Sequence, residues 1–341
     1  MKSVMLFMAA LLAALLLVAG GWSLLPVEVD RSAEDPAVEY LNRKANTAAQ
    51  FKEGYFEHRD QYLHYVEAGK GELVVFLHGF PSYWLSFLQQ VTDLSADYHV
   101  LAIDGLGVGR SSVSRDLADY QLEAMTEHLL ALIDSKDVQG FHLVGHDWGA
   151  VFAFSLAQRL PERVLSVTGI SAPPLNVLLK AMTSSDEQRE ATAYIESLKK
   201  LNALLIAVAN GSAKTVDLYE KMAQPGSLNQ QEADLFSEAV ANAKRINAHI
   251  NWYRANIPAP EDIEPAHYWP EQDRALSMPS LFIYGDSDPI FTTDLLDIFQ
   301  QIHPATRVLM LDDTGHWPHL ERVSAVNHAL RSLLANKQHT N

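Results

Sequence analysis

The chain has no cysteine. Disulfides, thiol nucleophiles and thiolate metal sites are therefore excluded, and the redox compartment stays undetermined. Positive charge is scarce, with 26 Lys and Arg against 42 Asp and Glu and a net charge of -16. Phosphate binding needs clustered cations, so nucleic acid is not an expected partner. The 14 histidines fall in no His-Glu-x-x-His or comparable ligand spacing, and neither a metal nor another cofactor is expected. Internal repeats are absent, and the only low-complexity tract is an apolar run at the N-terminus. What remains is a globular chain of 341 residues, 48% apolar and 20% charged, long enough for one large core with an insertion or for two domains.

The apolar run extends from Val4 to Leu25, preceded by Lys2 and closed by Pro26 and the acidic Glu28 and Asp30. About 20 apolar residues cross a bilayer core, so residues 1–25 are expected to be a membrane anchor. A secretory signal with a cleavage site near Val18-Ala19-Gly20 is the alternative. The charge asymmetry places the following domain on the non-cytoplasmic side, tethered in the first case and secreted or periplasmic in the second. Residues 26–50 are polar and poorly periodic and are expected to be a linker.

The fold is expected to begin near Phe51. Phe51 to Asp60 and Tyr62 to Glu67 alternate aromatic and polar residues, as in an edge hairpin. Leu73 to Leu77 and Val100 to Asp104 are short continuous apolar runs, the pattern of strands buried on both faces. Helical periodicity follows from about Leu122 to Ile133, then the run Phe141 to His146 and another apolar strand from Val164 to Ile170. Such alternation implies a parallel sheet with helices on both faces, an α/β fold. Between Pro173 and about Leu276 there is helical pattern and no convincing strand, so residues 173–276 form a helical cap inserted after the sixth strand. Alternation resumes with Ser280 to Tyr284, a helix from Thr292 to Gln301, Arg307 to Leu311 and a last helix from Val323 to Leu334. The core is thus 51–172 together with 277–337.

Gly145-His146-Asp147-Trp148-Gly149 joins an apolar strand to a helix. A sharp turn of this kind strains its central residue and brings its flanking positions almost into contact, which requires small residues there. The Asp147 carboxylate would then stand clear of the backbone beside the positive end of the helix dipole, ionised and nucleophilic. The competing role for Asp147 is an ordinary N-cap.

In open parallel sheets, functional groups gather at the carboxyl ends of strands. Four such ends carry His78-Gly79-Phe80-Pro81, Asp147, Gly285-Asp286-Ser287-Asp288 and Gly315-His316-Trp317. The chain order nucleophile, acid, histidine is that of a hydrolase triad on this type of sheet.

From Phe51 to Leu334 the sequence resembles an α/β-hydrolase of the epoxide hydrolase branch, related to the haloalkane dehalogenases. His78 to Pro81 is similar to that branch's oxyanion loop, Asp104 to Ser111 to its glycine-rich loop, with Leu106 where Arg is common, and Gly145 to Gly149 to its nucleophile elbow. The resemblance implies Asp147 as nucleophile, His316 as the base that activates water, and Asp288 as its partner, with Asp286 second in line. It also implies that the backbone amides of Phe80 and Trp148 form the oxyanion hole. No cofactor is implied.

The leaving group separates the subclasses. An epoxide oxygen needs an O–H donor, which Tyr supplies, whereas a halide needs N–H donors. Asn251-Trp252-Tyr253-Arg254 is similar to a tetrapeptide that holds one cap tyrosine of epoxide hydrolases, and Tyr194 lies where the second is expected. Tyr253 ends an apolar stripe through Ile250, Ile246, Ala243, Ala239 and Leu235 on one helix face. Tyr194 shares a stripe with Ala191, Leu198 and Leu201 on a helix opened by a Ser184-x-x-Glu187 capping box. For each tyrosine the competing role is a core aromatic. Trp148 could serve a halide, but Phe80 stands where dehalogenases usually keep a second donor. A carboxylate substrate is disfavoured because Trp148 replaces the Arg of fluoroacetate dehalogenases. The expectation is an epoxide hydrolase acting on a small apolar epoxide, with a halide dehalogenase as the alternative. A non-catalytic membrane-tethered binding protein is a remote third, and the oligomeric state is open.

Overall fold

The computed structural model describes residues 29–44, 49–201, 227–240, 242–264 and 274–335, with positions 27, 206, 267, 269 and 270. The expected anchor lies outside them. Among the described residues no helix is long and apolar enough to cross a membrane.

Eight strands form one sheet in the order β1-β2-β4-β3-β5-β6-β7-β8. They are β1 Lys52–His58, β2 Gln61–Ala68, β3 Leu73–Leu77, β4 His99–Ile103, β5 Phe141–His146, β6 Val164–Ile170, β7 Ser280–Gly285 and β8 Arg307–Leu311. β2 runs antiparallel to both of its neighbours, β1 and β4, and the other pairs are parallel. The expected edge hairpin is present, but of its two strands β1 alone is at the edge, since β2 is covered by β4. Every residue of β3, β5 and β7 is buried, which is why those strands read as mostly apolar and do not alternate with exposed polar positions.

Around the sheet lie α2 Leu88–Leu94, α3 Leu122–Asp134, α4 Trp148–Arg159, α10 Thr293–Ile302, α11 Pro318–Glu321 and α12 Val323–Leu334, and α1 Pro36–Lys44 precedes β1. α1 corrects the expected linker. Its Ala37, Val38, Tyr40 and Leu41 are buried, and Asp35 just before it accepts a bond from the Trp84 indole at 2.9 Å. Nine residues with four apolar positions on one face are too short a stretch to stand out in a mixed-charge context, and tertiary packing supplies the stability.

Between β6 and β7 the regular elements of the described residues are helical: α5 Leu175–Ser184, α6 Asp186–Ala191, α7 Tyr194–Lys199, α8 Gln230–Ala239, α9 Ala243–Asn256 and a 3-10 turn at Pro260–Asp262. Two local expectations are corrected. The N-cap of α6 is Ser185, whose hydroxyl accepts from the Gln188 amide, while the Ser184 hydroxyl bonds back to the Lys180 carbonyl. Ser184 is the last residue of α5, so its side chain has a carbonyl one turn back to bond, and the cap passes to the next residue. The Tyr253 stripe is also not one helix: it spans α8 and α9, with Asn242 capping α9 through the Lys244 and Arg245 amides. Tyr194 likewise opens a separate helix and does not continue that of Ala191.

α9 is fastened to the glycine-rich loop after β4. The Trp252 indole donates to the Leu106 carbonyl at 3.0 Å, and Arg245 to the Ser111 carbonyl at 2.9 Å. A Cβ on Gly105 would stand 2.5 Å from the Trp252 ring, so glycine is needed for this approach. The loop itself hangs on buried Asp104, which accepts from the amides of Trp84 and Arg110 and pairs with His64.

Candidate active site

Asp147 sits at φ 52° and ψ -121°, between β5 and α4. Its carboxylate makes no capping bond to α4, which sets aside the N-cap role. A Cβ at Gly145 would fall 2.1 Å from the Gly149 carbonyl oxygen, and one at Gly149 would fall 1.8 Å from that of Leu77. Both small residues are therefore imposed by the turn, as expected. Asp147 is buried, and its Oδ1 accepts the Phe80 amide at 2.8 Å. Burial disfavours its charge, but the neighbouring His316 and that amide outweigh burial and hold its pKa below the usual value.

His316, on the loop after β8, directs Nε2 at Asp147 Oδ2 across 3.6 Å and donates from Nδ1 to Asp288 Oδ2 at 2.9 Å. Asp288 is oriented in turn by the amides of Ile290 and Phe291 on its Oδ1. Asp286 is exposed and accepts instead from Ser287 and the Thr314 amide, so the geometry selects Asp288. Burial opposes a charge on His316, yet the two carboxylates prevail and raise its pKa to about 10.

Of the two expected oxyanion donors, the Phe80 amide is the one seen bonded to Asp147. Phe80 is set by the loop after β3, whose His78 Nε2 accepts the Gly105 amide at 3.0 Å and so joins that loop to the glycine-rich one. Burial lowers the His78 pKa, keeping its ring neutral and able to accept.

The structure brings both cap tyrosines to this point. Tyr253 is buried with its ring edge-on to Phe80 at 5.4 Å and to Trp148 at 5.1 Å. Burial pushes its hydroxyl well above the ordinary range; the Tyr194 hydroxyl, Asp147 and the Trp148 indole surround it. Tyr194 is 40% exposed as a residue, yet its hydroxyl is near enough to feel Asp147 and Tyr253, so the ring stands at the mouth with its oxygen turned inward. A narrow pocket lies over Asp147. Apart from Asp147, Thr192 and the two tyrosines, its walls are apolar, among them Val151, Leu178, Ile195 and Phe291.

Three polar side chains beside His316 escaped the sequence analysis: His146, Ser171 and Glu321. They come from three strand or helix ends far apart in the chain, and no period or motif links them.

These features can be set beside known proteins. The family model described as alpha/beta hydrolase fold matches residues 72–323. An epoxide hydrolase of Caballeronia sordidicola is 30% identical over 300 residues, covering 79% of this chain and 89% of its own. Epoxide hydrolase A of Mycobacterium tuberculosis is 28% identical, with 80% of this chain and 94% of its own covered. Among solved structures, one described as a novel epoxide hydrolase of the α/β-hydrolase superfamily, from metagenomes of hot environments, superposes with a TM-score of 0.74 at 25% identity, covering 84% of this chain and 99% of its own. With an eight-stranded sheet, an aspartate at the elbow and this extent of likeness, the chain belongs to the α/β-hydrolase family, as a hydrolase of its epoxide hydrolase branch.

Proposed function

We propose that the protein adds water to a small apolar epoxide to give a vicinal diol, through an ester on Asp147. The observation that carries this is the pair of Tyr253 and Tyr194 hydroxyls above the Asp147 carboxylate in an apolar cavity. Attack of the carboxylate on a ring carbon breaks one C–O bond, and a tyrosine protonates the departing oxygen. His316 starts the cycle charged between two carboxylates. Esterification neutralises Asp147 and removes one of them, so the imidazole gives up its proton, which in net terms replaces the one the alkoxide took. Neutral His316 then takes a proton from water, hydroxide adds to the Asp147 Cγ, and the amides of Phe80 and Trp148 receive the oxyanion before the ester collapses to diol and carboxylate. The Trp148 ring packs edge-on to Tyr253 at 5.1 Å, so a halide at its indole would crowd the tyrosine.

His316→Gln is expected to form the ester and fail to hydrolyse it, because only the second half-reaction needs the base. Mass spectrometry of that variant mixed with styrene oxide should show one adduct on Asp147. Turnover near the parent rate would sink the assignment of the base.

We also propose, from the sequence of residues 1–25, that the catalytic domain is tethered on the non-cytoplasmic side of a membrane. Recovery of the full chain in the soluble fraction after cell disruption, with its N-terminus intact, would overturn this.

A further inference from the structure

His316 is fixed through its peptide backbone as well as its ring. Its carbonyl oxygen accepts two bonds, from His146 Nε2 at 2.8 Å and from the Ser171 hydroxyl at 2.9 Å. The amides on either side are held by one carboxylate: Glu321 accepts Gly315 N–H at 2.7 Å and Trp317 N–H at 3.0 Å. His146 is the last residue of β5 and directly precedes the nucleophile; Ser171 follows β6; Glu321 closes α11.

Each side chain carries a sign that its place is costly. Ser171 is fully buried at φ +67°, a conformation that residues other than glycine rarely adopt and that tends to persist where the surroundings over-determine it. His146 is fully buried, with its Nδ1 unpartnered. A carbonyl can only accept, so Nε2 of His146 must carry the proton and Nδ1 the lone pair. Burial, with the neighbouring charge of His316, lowers its pKa to about 3 and keeps that tautomer neutral. A neutral ring 4.9 Å from His316 binds its carbonyl without setting a second full charge against the imidazolium.

We infer that His146, Ser171 and Glu321 form a clamp on the His316 peptide that sets the separation of the base from the Asp147 carboxylate. Its catalytic consequence rests on the function proposed above. Epoxide opening needs the Asp147 carboxylate and the tyrosine hydroxyls, and the bonds of the clamp go instead to the backbone around His316. Hydrolysis needs His316 Nε2, a water and the ester carbon in line, a geometry in which small displacements are expensive. The three are positioning residues, and their loss should fall on the second step.

The test uses the full chain with His146→Asn, His146→Gln, Ser171→Ala and the double variant His146→Asn/Ser171→Ala. Asparagine cannot reach the carbonyl from position 146, whereas the glutamine amide extends about as far as imidazole Nε2. With styrene oxide in rapid-quench experiments, alkylation should stay close to the parent rate in every variant. Ester hydrolysis should slow by about ten- to a hundredfold in the double variant, so that ester accumulates. His146→Gln should restore most of the rate. Equal loss in both steps, or no loss in either, overturns the clamp.

A second measurement needs no substrate. The Nδ1 proton of His316, assigned by its disappearance in His316→Gln, should exchange with solvent faster in the double variant, less so in Ser171→Ala, and at the parent rate in His146→Gln. Unchanged exchange in both Ser171→Ala and His146→Asn overturns the clamp whether or not the protein opens epoxides. Should the double variant fail to fold, those single variants carry the same two expectations at smaller size. An inactive parent with clamp-dependent exchange would reject the epoxide function and keep the clamp.

Discussion

The two carboxylate oxygens of Asp147 have different surroundings. Oδ1 is tied to the Phe80 amide, and Oδ2 faces His316 across 3.6 Å. Above them both tyrosine hydroxyls resist ionisation, which keeps both protons available to an opening ring. Replacing either tyrosine by Phe removes the donor and leaves the ring that packs. Alkylation by an epoxide is expected to fall by about one to three powers of ten, on the scale of ~2.7 to 4 kcal/mol for a lost oxyanion donor, and further in the double variant. Ester hydrolysis should change less, because its oxyanion lies at the backbone amides. The melting temperature should hardly move for Tyr194→Phe, given its exposure. Stopped-flow alkylation rates check this, and unchanged opening in both single variants would remove the tyrosines from the mechanism. Asp147, His316 and Tyr253 were all legible as residues in motifs, and so was the preference for Asp288 over Asp286, to which the structure adds the 2.9 Å bond to His316.

Among the elements, α1 joins the sheet domain to the cap. Asp35 before it accepts from Trp84 in the core. Tyr40 donates to Glu232 at the start of α8 at 2.8 Å, and Lys44 pairs with the same carboxylate. The helix thus packs on the sheet domain and braces the cap. Leu41 is fully buried in it, and Leu41→Ala should cost about 2–5 kcal/mol in urea denaturation. Removing residues 1–26 should cost nothing comparable, because every bond just named lies C-terminal to them. A truncation at Lys44 that kept full stability would show that α1 is dispensable. This element was missed because its core face is only four residues long. The cap helices were missed in their boundaries for a related reason: an apolar stripe continues across a break between two helices as readily as along one.

In the whole molecule, buried histidines of opposite habit set the dependence of stability on pH. Burial opposes a charge on His64, but its bonds to Asp104 and Glu53 outweigh burial and raise its pKa from 6.5 to about 9. The unfolded chain binds that proton only below about 6.5. The stabilisation is therefore complete below that pH and is lost as the pH rises towards 9. His316 adds a contribution of the same sign that persists to about 10. His146, His249 and His319 have the reverse sign: burial lowers their pKa, so the unfolded state takes up protons first and stability falls as the pH drops below 6.5. In denaturant titrations, the stability gap between the parent and His64→Gln should be largest near pH 6 and shrink by pH 9. A gap that stayed level or widened across that window would show that His64 is neutral in the fold.

The order of strands and helices, the elbow and its nucleophile, and the histidine and acid after the last two strands were all present as local pattern. Strand burial writes itself as continuous apolar residues, and a strained turn needs its glycines within the same five residues. Other features depend on contacts between residues far apart in the chain, for which a linear pattern carries no signal. These are the reach of α1 to the cap, the hold of the glycine-rich loop on Trp252, and the three side chains around the His316 peptide. Each is a hydrogen bond between elements brought together by the sheet, and its existence is decided by a distance that no spacing along the sequence encodes.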